Sequence, residues 1–143
     1  MSRRVAWDVA LVLRALLCTD SVAQRLRQSW QHRHCVPLVQ ASHAQRLIRA
    51  LAYPGWGLSA TQQQELLADF LPYAEVVNTQ VTPRAGLDPA QAELLALALQ
   101  GEADCWVSND ADLQQWASRA RAAEVRRLGP PLSVDEGLAL LLG

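Results

Sequence analysis

Asp8 and Asp110 each stand where a short apolar run hands over to a helical pattern. The first run is Val5-Ala6-Trp7-Asp8, followed at once by Val9-Ala10-Leu11-Val12-Leu13-Arg14-Ala15-Leu16-Leu17. The second is Cys105-Trp106-Val107-Ser108-Asn109-Asp110-Ala111-Asp112, followed by Leu113-Gln114-Gln115-Trp116. If both runs are neighbouring parallel strands, the two aspartates meet at the carboxyl edge of one sheet, where open α/β sheets hold their ligands. Carboxylates converging there outline a divalent-metal site. A carboxylate between Trp7 and Val9 at a buried sheet edge needs a partner or a cation in any case. Asp110 and Asp112 also have a structural use, because acids in the first turn of a helix meet its dipole favourably.

The elements that must position these residues read as strand and helix in alternation. Val5 to Trp7 is a short strand and Val9 to Leu17 a helix. Thr19-Asp20-Ser21 is a cap cluster opening a helix to Ser29 or Trp30, with Val22, Leu26 and Trp30 along its apolar face. Cys35 to Val39 is a second strand, and Pro37 places it towards an edge or an irregular start. Ser42 with Gln45 has capping-box spacing for a helix through Ala52. Tyr53-Pro54-Gly55-Trp56-Gly57 breaks the chain. Ser59 with Gln62 repeats the capping box for a helix ending near Phe70, and Ala74 to Val77 is a third strand. Asn78 to Leu87 is irregular. Asp88-Pro89 starts a helix with a carboxylate cap and a proline in its first turn. That helix, apolar on nearly every side up to Gly101, is expected to be the most buried. Ala103 to Ser108 is the fourth strand and Asp110 to Ala120 a helix. Glu124 to Leu128 is expected to be a fifth, edge strand, and Ser133 with Glu136 caps a final helix, Gly137 to Leu142. Strands alternating with such helices imply a parallel sheet of four to five strands in a three-layer α/β/α sandwich.

Composition narrows the chemistry. The 143 residues suit one domain, residues 1–143. A net charge of −1 gives no global field towards nucleic acid or membrane. The chain has no lysine, which excludes a Schiff-base or P-loop lysine. Cys18, Cys35 and Cys105 lack metal or redox spacing and are expected to be buried free thiols of a cytoplasmic protein. His32, His34 and His43 form only a loose cluster. Trp7, Trp30, Trp106 and Trp116 fall on apolar faces, whereas Trp56, in the Pro-Gly loop, has room to be exposed. The N-terminal apolar stretch is broken by Asp8 and Arg14 and is too short and too polar to span a membrane.

Taken in order, the segments from Val5 to Leu142 resemble the PIN-domain family, the nuclease fold of many bacterial toxin–antitoxin toxins. The likeness is carried by Val5-Ala6-Trp7-Asp8-Val9-Ala10, Leu51-Ala52-Tyr53-Pro54-Gly55-Trp56-Gly57-Leu58-Ser59, Leu95-Ala96-Leu97-Ala98 with Gly101, Ser108-Asn109-Asp110-Ala111-Asp112-Leu113 and Leu128-Gly129-Pro130-Pro131-Leu132-Ser133. The resemblance implies RNA cleavage with Mg²⁺ or Mn²⁺ held by three or four acids. Asp8 matches the acid after the first strand, Asp110 the acid after the fourth, and Asp112 an accessory acid. Asp8 and Asp110 would then be the catalytic pair, and all three would be metal ligands.

Two acids expected from the resemblance are missing. One belongs in the third helix, where this chain has Gln45 and Arg46 behind Ser42-His43-Ala44. The other belongs just before the central apolar run, where it has Ala90-Gln91-Ala92. Asp88 and Glu93 are the only local substitutes, and each reaches the site only if the helix start has rearranged. Losing one ionic ligand costs on the order of 2 kcal/mol, roughly thirty-fold in binding. Two function classes remain: a Mg²⁺- or Mn²⁺-dependent endoribonuclease of toxin type, and a degenerate relative acting as an RNA-binding or protein-interaction module. Arg14, Arg46 and Arg49 are the candidates for RNA contacts along the same edge. The implied partners are RNA, an antitoxin protein and a second copy of the chain. A flavodoxin-like or receiver-like sheet is set aside, because no Gly-rich loop follows any strand.

Overall fold

The computed structural model describes residues 2–143. The chain runs β1 (Arg3–Trp7), α1 (Val9–Leu17), α2 (Ser21–Gln31), β2 (Cys35–Val39), α3 (Ala41–Leu51), α4 (Ala60–Ala68), β3 (Glu75–Val76), α5 (Pro89–Gln100), β4 (Cys105–Val107), α6 (Ala111–Arg119), α7 (Ala123–Leu128) and α8 (Val134–Leu142). Short 3₁₀ turns lie at Pro54–Trp56 and Leu71–Tyr73. The four strands are all parallel, in the order β3-β2-β1-β4.

That order follows from the chain's path. From β1 it moves outward to β2 and β3, then crosses back to place β4 on the other side of β1. Right-handed crossovers put the outward and returning connections on opposite faces of the sheet. Strand periodicity divides the core accordingly. Val5, Trp7, Cys35, Cys105 and Val107 meet α1, α2, α3 and α8 on one face. Ala6, Leu38 and Trp106 meet α5, α6 and α7 on the other. Three layers result, and β1 and β4 flank the point where strand order reverses. Ligands of open α/β sheets bind at such a switch point.

The expected helix starts are mostly seen as caps. The Ser59, Asp88 and Ser133 side chains each accept from the backbone N–H three residues on, and Gln62, Gln91 and Glu136 return the bond. Ser42 does not form the expected box. Its helix begins two residues earlier, with Gln40 as the N-cap and no side-chain cap bond. Gln40 is buried and its amide instead donates to the Glu93 carbonyl at 3.3 Å. α5 carries seven consecutive buried residues, Ala92 to Ala98, as its all-round apolar pattern requires.

Three further expectations are corrected. The segment expected as a fifth strand, Glu124 to Leu128, lies in helix α7, with Arg126 N–H donating to Ala122 O and Gly129 N–H to Val125 O. Only Val125 is buried there, so the segment has one inward position per turn and no alternating face. The open side of β4 is met by Leu132 through a single parallel bridge to Val107. Secondly, β2 is internal although it holds Pro37. The proline is tolerated because β3 pairs only with Leu38 and Val39, leaving Pro37 no ladder bond to supply on that side. Thirdly, Cys18 is exposed, whereas Cys35 and Cys105 are buried, with burial pushing both thiols up to about 11. Among the described residues, no helix is long and apolar enough to cross a membrane.

These placements rank three substitutions. Leu97→Ala, at a fully buried site on α5, is expected to cost about 2–5 kcal/mol. Ser59→Ala loses a working cap and is expected to cost about 1 kcal/mol. Ser42→Ala stays within about 0.5 kcal/mol, since no cap bond is lost. Urea unfolding of the three variants reads this order directly, and an equal loss at Ser42 and Ser59 would contradict the observed helix start.

Candidate functional site

Parallel pairing of β1 with β4 sets Trp7 beside Val107, so the next residues, Asp8 and Ser108, leave the sheet side by side. Ser108 Oγ donates to Asp8 Oδ2 at 2.6 Å and accepts from the Asp110 N–H at 3.1 Å. The two aspartates, a hundred positions apart, are thus joined through one hydroxyl. Both line a cleft of about 390 Å³ with Val9, His43, Arg46, Arg49, Asp88, Gln91 and Glu93. Its walls are the carboxyl ends of β1 and β4, the N-terminal part of α5, and one face of α3.

Every carboxylate in the cleft already has protein donors. Asp8 accepts from Ser108 Oγ and, at 3.1 Å, from the Ala10 N–H of the helix it caps. Asp110 caps α6, accepting from the Asp112 and Leu113 N–H groups. Its other oxygen accepts from Gln91 Nε2 at 2.8 Å. The Gln91 amide, helped by those backbone donors, holds the Asp110 carboxyl below its ordinary value. Asp88 Oδ1 accepts the Gln91 N–H at 2.8 Å as the cap of α5. Glu93, only 6% exposed, accepts from Arg46 Nε at 3.1 Å through Oε2. Its Oε1 is buried without a donor, as is Gln40 Oε1.

Gln91 is the pivot of this network. Its Oε1 accepts from the Asp88 N–H at 2.9 Å while its Nε2 reaches Asp110. Both ends of the amide are therefore fixed, and a neutral donor stands between the cap of α5 and the cap of α6. His43 lies buried on α3 in the same cleft. Burial pushes its pKa below 6.5, against the opposing pull of Glu93 and Asp8 and with the help of Arg46. The neutral imidazole is the favoured form.

The sequence-derived candidates divide cleanly. Asp8, Asp110, Asp88, Glu93, Arg46 and Arg49 come together in the cleft. Glu93 arrives there from the second turn of α5 without any rearrangement of the helix start, which retains its Asp88 cap. Asp112 points elsewhere, into a neighbouring cleft with Arg84, Trp116 and Arg119. Arg14 pairs with Asp20 at 3.6 Å and does not line the cleft. His43, Gln91 and Ser108 are the members that sequence reasoning did not single out. The capping-box spacing of Asp88 and Gln91 was the available signal for the second.

The fit to a divalent ion is poor. Among the described residues, no three His, Cys, Asp or Glu side chains converge closely enough to hold one. Asp8 Oδ2 is taken by Ser108 and Asp110 Oδ2 by Gln91, and a guanidinium sits against Glu93. Compared with protein-family models, with curated proteins and with solved structures, the chain has no match.

His43 makes the cleft's state measurable through stability. With its folded pKa depressed below 6.5, the unfolded chain binds the extra proton first as pH falls. Stability is therefore full above pH 6.5 and declines as pH drops below it, until the folded pKa is reached. Urea unfolding between pH 5 and 7.5 is expected to show this slope, and His43→Gln to flatten it. An unchanged slope in the variant would place the titrating group elsewhere.

Proposed function

We propose that this chain is a PIN-like nuclease domain, of metal-dependent toxin-type ribonuclease ancestry, in which metal-assisted catalysis is weakened or lost. The observation that carries the reading is the Gln91–Asp110 hydrogen bond. A carboxamide stands in the Ala90-Gln91-Ala92 segment where the resemblance expects an acid, and it spends its donor on the carboxylate that would otherwise hold the ion. Arg46, near the other missing acid, neutralises Glu93 in the same way.

Phosphodiester cleavage of this type needs a cation that polarises the phosphate and lowers the pKa of the attacking water. Mg²⁺ can be held by one or two carboxylates plus substrate phosphates. Here an ion would have to displace bonds that already satisfy Asp8 and Asp110, so its affinity falls further than the loss of ligands alone implies. What the residues do support is a closed polar network at the sheet's switch point, held on a fold suited to binding. RNA, an antitoxin protein and a second copy of the chain are the partners this ancestry suggests.

The reading is reversible by one substitution. Gln91→Glu keeps an acceptor for the Asp88 N–H but sets two carboxylate oxygens near each other, a pairing only a proton or a cation relieves. Calorimetric titration of Mn²⁺ is expected to give little heat with the native chain. With Gln91→Glu it should give about thirty-fold tighter binding, lost again on adding Asp8→Asn. Micromolar Mn²⁺ binding by the native chain, with EDTA-sensitive cleavage of a fluorogenic RNA, would overturn the proposal.

A further inference from the structure

A second cleft of about 390 Å³ opens on the far side of α6, and its chemistry is opposite in sign to the first. Arg84 from the loop before α5, Arg119 near the end of α6 and Arg121 just beyond it line the cleft, with Asp112, Gln115 and Trp116. Arg84 is paired with Glu124 at 3.2 Å. Among the described residues, Arg119 and Arg121 have no acid within ion-pair distance, and both are exposed. Three arginines against one lining acid give this concave wall a local positive field in a chain of net charge −1.

The wall between them is built rather than incidental. Trp116 Nε1 donates to the Ala85 carbonyl at 2.8 Å, which fastens the Arg84–Gly86 loop against the indole. Gly86 is required there, with φ +85° and a Cβ that would stand 3.0 Å from Trp116 Cδ1. The indole is only partly buried and lines the cleft beside the arginines. Planar guanidinium forks suit phosphate oxygens, and an aromatic wall suits an unstacked base.

We propose that this cleft seats a phosphate and base of single-stranded RNA, on a path that continues to the carboxylate pocket. The two clefts share the first turn of α6: Asp110 caps that turn in one, and Asp112, whose N–H donates to Asp110 Oδ1 at 3.0 Å, faces the other. Arg119, the last residue of α6, stands about 2.5 helical turns from Asp110, so a chain held by Arg119 and Arg121 follows the length of the helix to reach the carboxylate pocket. A duplex does not fit this role, because its stacked bases leave no face for the indole. The inference rests on the nucleic-acid side of the reading above but not on metal binding or catalysis.

Fluorescence anisotropy with a labelled twelve-residue oligouridylate, in EDTA, tests it without any contribution from cleavage. Arg119→Ala with Arg121→Ala should weaken binding about ten-fold or more at low salt and lower the log–log salt slope by about 0.7, the value for one lost phosphate contact. Asp112→Asn, which removes the one acid on that wall, should tighten binding. Arg3→Ala with Arg33→Ala removes equal charge from the other end of the strands and should change the slope far less. The cleft assignment fails if the double variant binds like the native chain or loses no more than that control. It also fails if the native chain does not bind the oligomer, or if polyglutamate displaces the RNA as readily as unlabelled RNA does. None of those outcomes bears on Mn²⁺ affinity, which is read separately.

Discussion

Ser108 is the point on which the site depends. It is fully buried, and all its polar atoms are engaged. Its hydroxyl bridges Asp8 and the Asp110 N–H, its N–H donates to Leu132 O, and its carbonyl accepts from Gln114 Nε2. One residue therefore ties the end of β1 to the end of β4, to the start of α6 and to the strand-like bridge beyond. Hydrogen bonds to a charged group are worth about 1.5–3 kcal/mol each, and here the bond also sets where two carboxylates stand. The parallel register that puts Asp8 next to Ser108 makes this possible, since a slip of one residue would send both side chains to the opposite face.

Around that tie the molecule separates its charges. Four carboxylates face two guanidinium groups and a neutral imidazole in one cleft, while arginines dominate the next. Both clefts are organised by α6, whose first turn contributes an acid to each. The carboxylates are not free charges waiting for a cation. Each is answered by a cap, an amide, a hydroxyl or a guanidinium, as groups partly withdrawn from water must be. Among the described residues three buried side-chain atoms lack a partner: Trp7 Nε1 in the core, and Glu93 Oε1 and Gln40 Oε1 where α5 meets the end of β2.

The convergence of Asp8 and Asp110 was legible because two apolar runs, each ending in an aspartate, had to lie in one parallel sheet. Helix caps were legible wherever the side chain and its return partner act locally, as at Ser59, Asp88 and Ser133. They misled at Ser42, where buried Gln40 takes over the start of the helix for a tertiary contact that spacing cannot reveal. The segment Glu124 to Leu128 misled for a related reason. The six residues of α7, with a single buried valine, carry too little periodicity to separate strand from helix. Asp112 and Arg14 were assigned to the edge from their place in the chain, but the direction of a side chain around its helix decided otherwise. Glu93 was the converse, placed in the cleft by the wall-to-wall burial of α5.

Because α5 is enclosed on all sides from Ala92 to Ala98, it can neither slide nor rotate without opening the interior. The polar positions that it and its cap offer to the cleft, 88, 91 and 93, are consequently fixed stations. Chemical identity at this edge is thus a matter of what is plugged into a rigid socket, and it can be rewritten one residue at a time while the architecture stays as it is.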